Sequence, residues 1–463
     1  MNHSLLFRAL LICVPLAIGG CGQDSGTDTS TSGEAPGSQS NAEGVIVDVS
    51  DPNAQFVPVL SYRTGAYAPN GAPVANGFTD YLKLINARDG GINGVKISFE
   101  ECETAYSTSR SIECYERLKG QGPTGAAVFN PMSTGATFAI TEKAPVDKIP
   151  LITMGYGRSE SRNGGVFPWN FPIYGTYWTA ADVLITHLGN INGGLNNLKG
   201  KKIALVYHDS PFGKEPIPLL KKRASMLGFE LLSIPVTHPG VEQKSAWIQI
   251  RKQKPDYVLL WGWGVMNSTA IKEAAGVRYP RDQMFGIWWA GSEPDVRPAG
   301  ADAVGYQAVS MISSGQARVH EDALSYLYDN GLGSGDRDGV GEVLYNVGLL
   351  NAALVVESIR AAQSKYGKKP LTGEEVRWGI ENLNISEEAI EALGLTGYMY
   401  PVSLSCSDHE GKRAARLHRW NGESWDYSTD WISADDSVIQ PMVKSASDTY
   451  AKEAGIPTNA CDS

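Results

Sequence analysis

The sequence lacks the motifs by which most enzymes announce themselves. It contains no GxxxxGK[ST], no HExxH and no GxSxG. The six histidines beyond residue 3 (His187, His208, His238, His320, His409, His418) show neither i, i+4 pairing nor metal-ligand spacing. No nucleophile stands beside a visible base, so the chain reads as a non-enzyme that needs no cofactor and no metal. It is also short of positive charge: 40 Lys and Arg against 50 Asp and Glu give a net charge of −10, which argues against a nucleic-acid partner. A mean hydropathy of −0.21, with no long apolar run beyond the first twenty residues, argues against a polytopic membrane protein. Two near misses fail in detail. Gly262-Trp263-Gly264-Val265-Met266-Asn267 follows a strand-like run, but Trp263 would block the close approach a pyrophosphate needs and Asn267 stands where the third glycine belongs. Asp336-x-Asp338-Gly339 misplaces the glycine of a calcium loop and has no Glu at the twelfth position, so it reads as a polar loop, and Asp408-His409-Glu410-Gly411 reads as a solvated turn.

What is present begins with a compartment signal. Arg8 precedes an apolar stretch, Ala9 to Ile18, too short to span a bilayer by itself, and Ile18-Gly19-Gly20-Cys21 resembles a bacterial lipobox with Cys21 as the lipidation site. A plain secretory signal cut nearby and an uncleaved anchor are the alternatives. Residues 1–20 are therefore expected to be a signal peptide and 21–53 a lipidated cysteine with a flexible tether. Within that tether 13 of the 23 residues from Gly22 to Gly44 are Gly, Ser or Thr, and none is aromatic or branched aliphatic. In an oxidising compartment Cys102, Cys114, Cys406 and Cys461 allow three pairings. A Cys102–Cys114 bridge is the cheapest loop to close, which leaves Cys406 to pin the tail at Cys461.

Beyond the tether, β-rich runs alternate with helical patterns. Val57 to Tyr62, Val95 to Phe99, Ala126 to Phe129 and Pro150 to Thr153 read as strands, with helices over Val74 to Asn86, Ser107 to Lys119 and Ala136 to Ala144. A second series opens strands near Ile203, Phe229, Tyr257 and Met284, at intervals of 26, 28 and 27 residues, about one strand, one helix and two loops each. Such alternation implies parallel sheets covered on both faces. Later come a strand at Tyr306 to Ile312, a long helix from Glu342 to about Gln363, a capping box at Thr372 and Glu375, a helix capped by Ser386, and a hairpin over Arg416 to Tyr427 turning at Asn421-Gly422.

Four local patterns occur in order on this two-part scaffold: Arg63-Thr64-Gly65-Ala66-Tyr67-Ala68-Pro69-Asn70-Gly71, Asn86-Ala87-Arg88-Asp89-Gly90-Gly91-Ile92-Asn93-Gly94, Asp209-Ser210-Pro211-Phe212-Gly213 and Glu273-Ala274-Ala275-Gly276-Val277. Together they resemble the branched-chain amino acid-binding family of periplasmic solute-binding proteins of ABC importers, over about Val57 to Trp431. The resemblance implies a type I periplasmic-binding-protein fold: two doubly wound α/β lobes of parallel sheet joined by three crossover strands, closing on a small ligand. Carried over, lobe one would hold 54–172 and 313–397, lobe two 173–312 and 398–440, and 441–463 would be a C-terminal tail. It also implies a monomer working with an ABC permease and ATPase complex, in the periplasm or on the extracytoplasmic face of a bacterial membrane, and the lipobox at Cys21 implies that it meets the membrane through the lipid anchor only.

In the amino acid-binding members a Ser and a Thr with backbone groups hold the ligand carboxylate, and a Glu from lobe two holds its ammonium. Ser133, Thr134 and Gly155 match the carboxylate half; the second hydroxyl position falls at Gly157. Trp288 stands where the Glu would be, and an uncompensated ammonium in an apolar pocket costs several kcal/mol. Tyr67, Asn70 and Tyr156 from lobe one, with Phe212, Trp263 and Trp288 from lobe two, are the remaining candidates for the ligand site. Of the pairs Trp261/Trp263 and Trp288/Trp289, the alternation of strand residues puts at least one of each in the core. The expected solute is small and largely apolar, an aromatic or alkyl acid in preference to an amino acid. A ligand-sensing subunit of the same fold and a genuine branched-chain amino acid binder are the alternatives.

Overall fold

A computed structural model describes residues 44–312, 314–458 and 461. The expected signal peptide, Cys21 and most of the tether lie outside these residues. Fourteen strands follow one another among the described residues: β1 (Gln55–Ser61), β2 (Ile97–Glu103), β3 (Leu151–Ile152), β4 (Asn170–Phe171), β5 (Lys202–His208), β6 (Glu230–Val236), β7 (Tyr257–Trp261), β8 (Met284–Gly286), β9 (Gln307–Ser310), β10 (Asn384–Ile385), β11 (Val402–Ser403), β12 (Ala414–Trp420), β13 (Trp425–Tyr427) and β14 (Ile432–Ser433).

In the first lobe β1 pairs parallel with β2 and β3 parallel with β4. The predicted strand Ala126 to Phe129 is too short to form a full ladder. It nevertheless bridges the two pairs, since Ala127 N donates to Phe56 O at 3.2 Å and Ile152 N to Phe129 O at 2.9 Å. The second lobe is one large sheet in the order β13-β12-β9-β8-β7-β5-β6, with β14 also on β12. Its strands β6, β5, β7, β8 and β9 are parallel, and β12 returns antiparallel to β9. The non-consecutive order β6-β5-β7 puts the doubly wound reversal at β5. Parallel strands need helices on both faces, and β5 and β7 are accordingly buried almost throughout.

The later chain divides its packing between the lobes. Gln55 and Leu371 exchange two hydrogen bonds, 2.7 and 3.1 Å, and Arg88 pairs with Asp322 at 2.7 Å, which ties the 318–381 region to the first lobe. The helix Val343–Tyr366 is long and apolar enough to cross a membrane on composition, but it is buried here against the helix Ala68–Asp89. At one crossing the Tyr174 and Tyr400 rings pack at a tilt with centroids 4.0 Å apart, and each hydroxyl bonds the other's backbone.

Both disulfides form, Cys102–Cys114 with Cα atoms 5.8 Å apart and Cys406–Cys461 at 5.5 Å. Two expectations change. The stretch from 441 onward, read as a tail, belongs largely to a 19-residue helix, Asp436–Ala454, whose start is held by Arg162 to Asp436 at 2.8 Å and Arg223 to Asp435 at 3.3 Å. The Asp408 to Gly411 turn is not solvated: His409 and Glu410 are fully buried. Glu410 accepts from Thr176 N at 2.9 Å and pairs with Arg162 at 3.2 Å, and the His409 ring lies on Phe171 at 4.0 Å. Partners from distant parts of the chain bury this polar segment, which local composition could not show.

Candidate ligand site

The open ends of the parallel strands face one another across the two lobes. Just past β1 comes Tyr62, past β2 Tyr106, past the Ala126 to Phe129 stretch Met132, Ser133 and Thr134, and past β3 Tyr156. From the other lobe come Tyr177 at the start of its helix, Phe212 past β5, Trp263 past β7 and Trp289 past β8. These ten side chains wall a narrow cavity that they nearly fill themselves, leaving about 20 Å³, at the carboxyl ends of strands where open α/β sheets bind ligands.

The wall carries no Asp, Glu, Lys or Arg. Burial pushes the Tyr62, Tyr106, Tyr156 and Tyr177 hydroxyls well above the usual tyrosine range, so none ionises at neutral pH. Most polar groups here bond to one another. Tyr156 donates to Asn130 Oδ1 and accepts from Met132 N at 2.8 Å; Thr134 Oγ1 and the Tyr177 hydroxyl are 3.2 Å apart; Ser133 Oγ accepts from Ala136 N at 3.4 Å as the cap of the helix Thr134–Ile140.

Of the nine residues predicted for the site, Ser133, Thr134, Tyr156, Phe212 and Trp263 line the cavity. The other four, Tyr67, Asn70, Gly155 and Trp288, hold the lobes together beside it. The Tyr67 hydroxyl meets His208 Nε2 at 2.7 Å, Asn70 donates to Asp295 at 3.2 Å, and the Gly155 carbonyl accepts from Trp288 Nε1 at 2.9 Å and Trp289 Nε1 at 3.2 Å. Burial lowers His208 to about 4, so it meets Tyr67 as a neutral ring. The wall position assigned to Trp288 is filled by Trp289. The reason is local: β8 ends at Gly286, and residues 288–290 form a 3₁₀ turn in which strand alternation no longer decides the facing. Gly155 is required by its φ of 73°, a left-handed conformation that L side chains rarely adopt.

Sequence reasoning missed Tyr62, Tyr106, Met132 and Tyr177. Tyr62 and Tyr177 could have been found as the residues that close a predicted strand and follow a predicted crossing. Tyr106 and Met132 sit at φ 59° and 52°, left-handed positions that no composition signal marks for a non-glycine residue.

Three further junctions cross between the lobes. Ser159 Oγ donates to Glu215 at 2.7 Å, the amide of Val343 donates to the Glu293 carboxylate at 3.1 Å, and Arg297 pairs with Glu342 at 2.5 Å. Glu293 thus caps the amino end of the long Val343–Tyr366 helix from the opposite lobe.

The sequence profile of the periplasmic binding protein family matches residues 54–424. A protein from the Pseudomonas fluorescens group, described as an ABC transporter permease, is 45% identical with a TM-score of 0.83, over 89% of this chain and 100% of its own. A branched chain amino acid ABC transporter protein from Thermus thermophilus with bound valine is 20% identical with a TM-score of 0.68, over 84% of this chain and 99% of its own. A solute binding protein from R. palustris in complex with benzoate is 18% identical with a TM-score of 0.63, over 82% and 97%. Comparison with curated proteins returns no match. With the profile spanning most of the chain and the strand-end cavity lying between two α/β lobes, the chain belongs to the periplasmic binding protein family, the substrate-binding proteins of ABC transporters.

Proposed function

We propose that this protein captures a small, largely apolar solute, an aromatic or alkyl acid in preference to an amino acid, and delivers it to an ABC permease and ATPase complex by closure of its two lobes. The observation that carries this reading is the cavity wall: seven of its ten side chains are aromatic and none is charged. A zwitterion would bring an ammonium group that no carboxylate on the wall could balance, at a cost of several kcal/mol, whereas the single carboxyl of an acid can be met by the hydroxyl and N–H donors the wall does carry. Burying roughly 200–300 Å² of apolar ligand surface at ~25 cal/mol per Å² is worth about 5–7 kcal/mol before the cost of association. That the R. palustris relative is in complex with benzoate agrees with a ring-lined site. The protein binds its solute without converting it and works as a monomer. Lobe one comprises 54–172 and 313–397, lobe two 173–312 and 398–440. Lipidation of Cys21 after removal of 1–20 anchors it on the extracytoplasmic face.

Mass spectrometry of what co-purifies, followed by calorimetry with benzoate, octanoate, leucine and valine, tests the reading. Micromolar binding of benzoate or octanoate with no leucine or valine binding is expected; micromolar leucine binding would overturn it. In cells, Cys21→Ser should move the protein to the soluble fraction with binding intact, and its retention on the membrane would refute the anchor.

A further inference from the structure

A second cleft, of about 710 Å³, shares no side chain with the solute cavity. It opens beside the crossing at Tyr400, between the helix Glu387–Leu393 and the strand β12, and its lining includes the Tyr400 and Trp431 rings. Lys412 and Arg416 stand over these rings. Lys412 Nζ is 4.0 Å from the Trp431 centroid and 4.9 Å from that of Tyr400, and the Arg416 guanidinium is 4.6 Å from Trp431 and 3.5 Å from Tyr427. The neighbouring Arg413 pairs with three carboxylates, those of Asp408, Glu410 and Asp436. The charged ends of Lys412 and Arg416, by contrast, meet rings alone among the described residues, and Arg416 Nε is buried with no hydrogen-bond partner. A ring face holds a cation in place but brings no counter-charge. Burial first, and then the Arg416 charge, therefore lower Lys412 below the ordinary lysine value.

We infer that this cleft is a second binding site, for a small oxyanion: a carboxylate or phosphate group received jointly by Lys412 Nζ and the Arg416 guanidinium. A guanidinium can present two N–H groups to one such anion, and the ammonium adds a third donor. Because the rings already hold both side chains, little ordering remains to be done when the anion arrives. The other side of the cleft limits what enters. Glu387, Glu388 and Glu391 line it, exposed and paired with neither cation, so a ligand with several acidic groups would set charge against them, and one with a single acidic head is favoured. The inference does not depend on the reading of the solute cavity, since the two sites have no residue in common.

The test uses the full mature protein with ¹⁵N-labelled indoles and two probes, inorganic phosphate and acetate, each titrated at constant ionic strength made up with sodium chloride. The Trp431 indole resonance, identified by its loss in Trp431→Phe, is the readout. It should shift to saturation with at least one probe: acetate alone marks a carboxylate ligand, phosphate alone a phosphate ligand, and both a site that reads the charge and not the head group. Lys412→Gln and Arg416→Gln should each weaken that binding by about tenfold or more, the loss of one charge-assisted donor. Arg419→Gln, which changes an exposed cation of the same strand outside the cleft, should leave it as it was. Should Arg416→Gln fold poorly, Lys412→Gln decides alone, because its side chain is exposed. Linear drift without saturation for both probes, or saturation unaltered in Lys412→Gln, would overturn the inference.

Discussion

Trp288 and Trp289 share one acceptor, the Gly155 carbonyl, but only Trp289 also forms cavity wall. The two should therefore fail differently. Trp288→Phe removes a bond between the lobes and should weaken every ligand by a similar factor, on the order of 5- to 10-fold for one buried hydrogen bond. Trp289→Ala removes wall as well and should change the ranking among benzoate, octanoate and smaller acids; calorimetry over that panel distinguishes the two. The sequence placed both tryptophans near the cleft because they follow a strand of the second series. It chose Trp288 for the wall on the assumption that strand alternation continues, whereas a 3₁₀ turn ends the alternation at Gly286 and turns Trp289 to the cavity. For the Trp261/Trp263 pair the alternation persists to the end of β7, and the choice of Trp263 matches the residue that lines the cavity.

Helices show the same division between local and distant causes. The caps were legible because each is a local bond: Thr372 and Glu375 reciprocate at 2.8 and 3.3 Å, and Ser386 Oγ accepts from Ala389 N at 3.3 Å. So was the turn at Asn421-Gly422, which joins β12 to β13. The crossing of Ala68–Asp89 with Val343–Tyr366 was not legible, because it depends on where two distant glycines meet. A Cβ on Gly77 would lie 1.9 Å from Tyr345 O, and one on Gly348 would lie 1.9 Å from Val74 O. Each helix thus fits a glycine against the other's backbone, and no rotamer change can make room. Gly348→Ala should destabilise the protein by about 1–3 kcal/mol despite its better helix propensity, read as a lowered midpoint in urea unfolding. The Asp436–Ala454 helix escaped notice for a related reason: Pro441 lies inside it, and its anchoring partners Asp182, Arg223 and Arg162 are far away in sequence.

At the scale of the molecule, closure should respond to pH. Burial raises Glu293 to about 7 from an ordinary 4.5, Glu342 pushing in the same direction and Arg297 against it. Asp295, which accepts from Asn70 across the lobes, is raised to about 6, again chiefly by burial. If each regains its ordinary value when the lobes part, the closed form holds protons that the open form releases. Closure and ligand affinity are then fully supported below the ordinary values, decline as pH rises through 5 to 7, and level off above about 7. The slope is at most tenfold per pH unit for each group. Titrating benzoate from pH 4.5 to 8 should show this decline, and Glu293→Gln should flatten its upper part.

The paired bonds at Gly155 also have an optical consequence. When the lobes separate, two indoles leave an apolar seam for water together, and their emission should move to longer wavelength; ligand should move it back. Eleven tryptophans contribute to the signal, and because Trp263 also faces the cleft, the shift should shrink without vanishing when Trp288 and Trp289 alone are replaced by phenylalanine. Lobe motion could then be timed by stopped-flow fluorescence on the unlabelled protein.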